Sequence, residues 1–138
     1  MPQPPSMDPV RRNARVGPVK LPAGGRKGEP PAWPLPGGMD GFEEQAWREL
    51  WATPQAAAWE AHGWSRVVAR YCRVLVEAEQ RGAKATARNQ ATLLEDRLGL
   101  TPKAMRLLLW TIAEDEVGEK RTEQKPAKSA RGRIKAVG

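Results

Sequence analysis

Cysteine and histidine are nearly missing from this chain, with one of each, Cys72 and His62, among 138 residues. A lone cysteine excludes an intramolecular disulfide and any cysteine-based metal centre within one chain. A lone histidine leaves no material for a histidine-based triad or metal cluster. Cys72 is expected as a small core residue, and His62, next to Gly63, as a group that stabilises a helix dipole or a terminal carbonyl. No stretch approaches the ~20 apolar residues that cross a bilayer, and the first residues carry no apolar run of the signal-peptide kind. The expectation is a cytosolic protein with no membrane partner. Neither a Walker-type phosphate loop nor a nucleophile elbow occurs. Glu114-Asp115-Glu116 has the chemistry for magnesium, but adjacent residues on a helix point in different directions, so a solvated helix end is expected there. Nothing in the sequence asks for catalysis, a metal or a cofactor.

Proline is scarce after Gly38, with ten of the thirteen prolines before it. That divides the chain into a proline- and glycine-rich basic arm at residues 1–39, a helical body at 40–117 and a basic tail at 118–138. Their net charges are +4, −2 and +5, so the excess of +7 sits in the flanking arms. Arms of this kind suit an anionic polymer, because lysine and arginine that neutralise phosphates release condensed counterions. The plainer alternative is that they keep the protein soluble. Little fixed structure is expected for either arm alone, although Trp33 and Leu35, in a stretch favouring polyproline geometry, could anchor the first one to the body.

Within the body the local signals are helical, and the expected fold class is all-α: short helices, then a long helical hairpin and a third helix. Asp40 and Glu43 form a capping-box pattern ahead of Ala46, Trp47, Leu50 and Trp51. Thr53-Pro54 reads as a cap followed by proline, ahead of Ala56, Ala57, Ala58 and Trp59. The tryptophans from Trp47 to Trp64 are expected as core, since a small domain needs the large area each ring buries. Residues 64–81 repeat Trp64, Val67, Val68, Tyr71, Val74, Leu75 and Ala78 at helical spacing, up to Gly82. Ala87, Ala91, Leu94 and Leu98 follow as a narrow seam for a returning helix. Thr101-Pro102 starts a third helix expected to run to Val117, with Met105, Leu108, Leu109 and Ile112 on one face and Leu107 and Trp110 off it. One neighbour cannot cover such a helix, so Leu94, Leu98, Leu107 and Trp110 are expected at an interface between copies.

Two features could carry binding. Arg66, Arg70 and Arg73 fall in one sector of the long helix opposite its apolar face, and repeated around a ring they would give a positive annulus that tracks a phosphate backbone. The competing reading is a solvated face with an Arg73–Glu77 pair. With Arg11, Arg12, Arg15, Lys20, Arg26 and Lys27 of the first arm, these arginines are the candidate DNA contacts. Residues 94–108 also resemble a helix-turn-helix with Lys103 and Arg106 available to a major groove, though Leu107 and Trp110 make its outer face apolar.

Thr53-Pro54-Gln55-Ala56 with Trp59, the long helix after Trp64, and Leu98-Gly99-Leu100-Thr101-Pro102-Lys103-Ala104-Met105-Arg106-Leu107 together resemble the small terminase subunits of tailed bacteriophages, particularly those infecting actinobacteria. Leu21-Pro22-Ala23-Gly24-Gly25-Arg26-Lys27-Gly28 and Trp33-Pro34-Leu35-Pro36 are similar to the same group. The resemblance implies a non-enzymatic protein in the cytoplasm of the bacterial host that binds double-stranded phage DNA and assembles into a ring. It also implies a partner, the large terminase subunit, which holds the ATPase and nuclease. By the same analogy the tail after Gly118 is expected to dock that partner. A dimeric helix-turn-helix transcription regulator is the alternative, and a purely structural virion protein a third.

Overall fold

The computed structural model describes residues 18–114. Its elements run β1 (Val19–Leu21), α1 (Gly41–Trp51), α2 (Gln55–His62), α3 (Ser65–Ala78), α4 (Ala85–Arg97), α5 (Pro102–Leu108) and β2 (Trp110–Ile112). The described residues are therefore mostly helical but not strictly all-α, because β1 and β2 pair in parallel, with Val19 opposite Trp110 and Leu21 opposite Ile112.

Helix α1 starts as its sequence dictates. The Asp40 carboxylate accepts the Glu43 N–H at 2.8 Å, and the Glu43 carboxylate accepts the Asp40 N–H at 3.5 Å. Its buried side is Trp47, Leu50 and Trp51. At α2 the local expectation fails: Thr53 does not cap with its side chain, and its hydroxyl donates backward to the Leu50 carbonyl at 2.7 Å. The threonine thus closes α1 instead of opening α2.

The long hairpin follows its apolar pattern. Helix α3 buries Val68, Ala69, Tyr71 and Cys72, and α4 buries Ala87 and Ala91. The small alanines let the two backbones approach closely, while the Tyr71 hydroxyl reaches across and donates to the Glu95 carboxylate at 3.0 Å. Burial and that carboxylate push the Tyr71 pKa up. Among the described residues no helix is long and apolar enough to cross a membrane.

The third helix departs most from expectation. Thr101 caps it, accepting the Ala104 N–H at 3.1 Å, but the helix stops at Leu108. Leu109 then takes a left-handed conformation at φ 60°, and Trp110 enters β2. A left-handed leucine costs roughly 1–2 kcal/mol. Trp110 offsets this by leaving solvent: it is 5 % exposed and packs near Trp64, with ring centroids 6.2 Å apart.

The boundary at residue 39 also moves. Residues 18–39, expected as part of a largely disordered arm, form β1, a turn and a strap laid over α1 and α3. Gly25 makes the turn possible: its φ is +78°, and any Cβ there would collide with the Ala52 carbonyl. The strap then delivers Trp33 and Leu35 to the core. Trp33, Trp47, Trp51 and Trp59 form a chain of edge-to-face contacts with centroids 5.0, 5.4 and 5.8 Å apart. Such pairs contribute about 0.5–1.5 kcal/mol each beyond their burial. Residues 1–17 and 115–138, including the whole of the tail expected to dock a partner, lie outside the described residues.

Candidate nucleic-acid interface

Of the nine candidate cations, Arg11, Arg12 and Arg15 lie outside the described residues. Lys20 and Lys27 are exposed, on β1 and in the turn after it, and Arg66 and Arg70 are exposed on α3. One helical turn separates these two arginines, so they present neighbouring charges to the same partner.

Arg26 and Arg73 do a different job. Arg26 Nε donates to the Glu60 carboxylate at 2.8 Å and Nη1 to the Glu29 carbonyl at 2.9 Å, while its guanidinium lies 5.5 Å from the centre of the Trp51 ring. The hydrogen bond raises the Arg26 pKa and holds Glu60 below the usual carboxylate range. Arg73 leaves the stripe in the same way. Its Nε donates to Glu43 at 3.3 Å, its Nη2 donates to the Pro36 and Gly38 carbonyls at 2.8 and 3.4 Å, and its guanidinium sits 5.3 Å from the Trp33 ring. These two arginines clamp the strap to the helices. A guanidinium already neutralised by a carboxylate has little charge to offer a phosphate. The stripe therefore shrinks to Arg66 and Arg70, and the pairing of Arg73 with Glu77 gives way to pairing with Glu43. No sequence signal named Glu43 and Glu60 as partners, since both lie far along the chain from their arginines.

The expected interface residues divide likewise. Leu107 is 77 % exposed, and Leu94 is half-buried. Leu98 and Trp110, at 1 % and 5 %, are buried within the chain. The fold itself covers them, which removes the reason for assigning them to a partner copy. Leu109 and Ile112, expected with Met105 and Leu108 on one face of a longer third helix, instead stand past its end and are each 42 % exposed. With Val19, which no sequence signal singled out, at 49 %, they rim the small sheet. An unforeseen strand pair could not advertise its own rim.

The helix-turn-helix region consists of α4, the turn at Leu98-Gly99-Leu100-Thr101 and α5, with Lys103 and Arg106 exposed on the last. Its joint is held from outside by α2. Trp59 Nε1 donates to the Leu98 carbonyl at 2.8 Å, and Gln55 Nε2 donates to the Gly99 carbonyl at 3.2 Å, also approaching Met105 Sδ at 3.7 Å. Thr101 adds a donation to the Asp96 carboxylate at 2.7 Å. Gly99 has a φ of +75°, and a Cβ there would strike the Trp110 ring. Two stretches of sequence far apart, one around Gln55 and Trp59 and one from Leu98 to Met105, thus close on a single joint. His62 stacks on Trp64 at 4.7 Å. Among the described residues no group of three or more histidine, cysteine or acidic side chains is placed to hold a metal ion. No family model, no curated protein and no solved structure matches this chain.

Proposed function

We propose that the chain is a viral DNA-packaging adaptor, a small terminase subunit. It binds double-stranded phage DNA, associates into a ring and passes the DNA to the large subunit with the ATPase and nuclease, in the cytoplasm of the bacterial host. The observation that carries this reading is the joint: Gln55, Trp59 and the stretch from Leu98 to Met105, which bear the resemblance to small terminase subunits, are bonded to one another. The residues that bear the resemblance thus lie in one linked structural unit.

DNA contacts come from Arg66 and Arg70, from Lys20 and Lys27, and from Arg11, Arg12 and Arg15 in the first arm. Contacts between copies come from Leu107 together with Val19, Leu109 and Ile112. Mass measurement of the intact assembly, with and without DNA, and DNA affinity across a salt series test this directly. A multimer well above a dimer is expected, with affinity falling steeply as salt rises. Arg66→Ala and Arg70→Ala should each lower the magnitude of the log–log salt slope by about 1. A monomer at micromolar concentration removes the ring, and salt-insensitive binding removes the electrostatic contacts.

The exposure of Lys103 and Arg106 on α5 favours a second reading, a dimeric helix-turn-helix regulator. Against it, α5 is seven residues long, about 10 Å, and carries the exposed Leu107 beside those cations. Lys103→Ala and Arg106→Ala should relax sequence preference if α5 reads bases, whereas Leu107→Asp should chiefly reduce assembly if the packaging role holds.

A further inference from the structure

Helix α1 and the second half of α3 leave an open groove between them. Its larger cleft, about 360 Å³, places Phe42 and Val76 among Asp40, Glu43 and Glu77, with Arg73 at its edge. A second cleft of about 160 Å³ shares Phe42 and Val76 and adds Glu49 and Glu79. Phe42 is the chain's one phenylalanine, and it is 69 % exposed. The packing of α1 makes no use of it, since the buried side of that helix is Trp47, Leu50 and Trp51. Of the five carboxylates, Glu43 alone forms an ion pair among the described residues, with Arg73 at 3.3 Å. An open aromatic ring rimmed by acids fits a cationic segment with one aliphatic side chain to bury.

The sequence contains such a segment. Residues 125–138 carry Lys125, Lys128, Arg131, Arg133 and Lys135, no acidic residue, and Ile134 among the last cations. We propose that the groove docks the basic C-terminal tail of its own chain, with Ile134 against Phe42 and the flanking cations facing Glu77, Glu79 and Glu49.

Reach separates this tail from the first arm. Trp64, just before α3, packs near Trp110 with centroids 6.2 Å apart, and Val19 pairs with Trp110, so both arms are rooted near that end of α3. Val76 lies about 18 Å farther along the helix. Arg131 follows Glu114 by roughly 17 residues, which span about 23 Å as a flexible chain and over twice that when extended. Arg15 stands only three residues before Pro18 and reaches about 10 Å at most, and Arg11, seven residues before Pro18, spans about 15 Å as a flexible chain, short of the distance to Val76. Tethering supplies an effective concentration near millimolar, so weak docking suffices. Cations held in the groove are withheld from any other polyanion. The groove thereby sets how much positive charge the protein displays.

A zero-length carbodiimide crosslinker, which joins lysine amines to carboxylates, tests the docking on the full chain. Unlabelled and 15N-labelled chains are refolded together, crosslinked and mapped by mass spectrometry. Lys128 and Lys135 should link to Glu77, Glu79 or Glu49 within one isotope. Phe42→Ser should lower the yield about fivefold through lost apolar contact, and salt near 0.5 M should lower it comparably. Links from these lysines to other carboxylates only, or no links, would overturn the proposal. An unchanged yield in Phe42→Ser would overturn it too. Links spread equally across isotopes would overturn it by assigning the groove to the tail of a second copy.

Discussion

Replacing Trp59 and Trp51 separately by phenylalanine isolates one hydrogen bond at the joint between α2 and the turn after α4. Both rings are almost fully buried, at 0 % and 2 % exposure, so each substitution removes a similar slice of apolar surface and leaves a similar cavity. The indole nitrogens differ. Trp59 Nε1 donates to the Leu98 carbonyl at 2.8 Å, whereas Trp51 Nε1 has no hydrogen-bond partner among the described residues. Trp59→Phe therefore strands a buried carbonyl, at a cost of about 1–3 kcal/mol, while Trp51→Phe relieves an orphaned donor. Trp51→Phe also weakens the contact with Arg26, whose guanidinium lies 5.5 Å from the ring centre; that contact contributes roughly 0.5–1 kcal/mol. The cavity terms cancel to first order, so Trp59→Phe should be the less stable variant by at least about 1 kcal/mol. For a body of this size that is roughly 4–8 °C in Tm. Thermal melts followed by circular dichroism, with urea midpoints as a check, measure the difference. Should Trp51→Phe melt at the same temperature as Trp59→Phe, or lower, the assignment of the joint's stability to this bond is wrong.

Further outcomes follow from the same geometry. Gly99→Ala should lower Tm by the equivalent of about 2 kcal/mol or more, since the new methyl group meets the Trp110 ring at a left-handed φ. Arg73→Ala should cost about 1 kcal/mol, discounted for its partial exposure, and leave the salt slope of DNA binding unchanged, the reverse of Arg66→Ala. Cys72, buried and facing Glu43 and Asp40, has its pKa pushed up to about 12 from an ordinary 9.0. A raised thiol pKa stabilises the fold fully below pH 9 and loses that contribution as pH climbs toward 12. Thiol reagents at pH 8 should therefore modify Cys72 on the order of 100-fold more slowly than a free cysteine, with the rates converging in denaturant. Glu60, held low by Arg26, acts in the opposite range: its contribution is present above the usual carboxylate pKa and is lost on acidification below it. Glu60→Gln should flatten that acid limb of the melting curve.

What could be read in the sequence was local. The Asp40–Glu43 box, the Thr101-Pro102 start and the alanine seam of α4 each depend on neighbours within one or two turns, and each formed. Trp47, Trp51 and Trp59 went into the core for a compositional reason that holds in any small domain. Illegible were the features settled between distant segments. Three-residue strands leave no period to detect, so β1 and β2 went unseen, and with them the reason for α5 to stop at Leu108. Leucine is a poor sign of a left-handed stop, and apolar spacing from Met105 to Ile112 imitates a longer helix. Arg26 and Arg73 looked like free charge because their carboxylate partners stand some thirty residues away.

The pairing of β1 with β2 also orders events during synthesis. Among the described residues the strand partner of β1 is β2 alone, so the stretch after β1 can settle on residues 51–60 early while Val19 to Leu21 complete their backbone pairing only once Trp110 has left the ribosome. The hairpin of α3 and α4 rests on nearby contacts and can form earlier, whereas the closing strand must wait for the slow meeting of remote segments. A growing chain would thus pass through a stage with its helices assembled and its first strand still unattached.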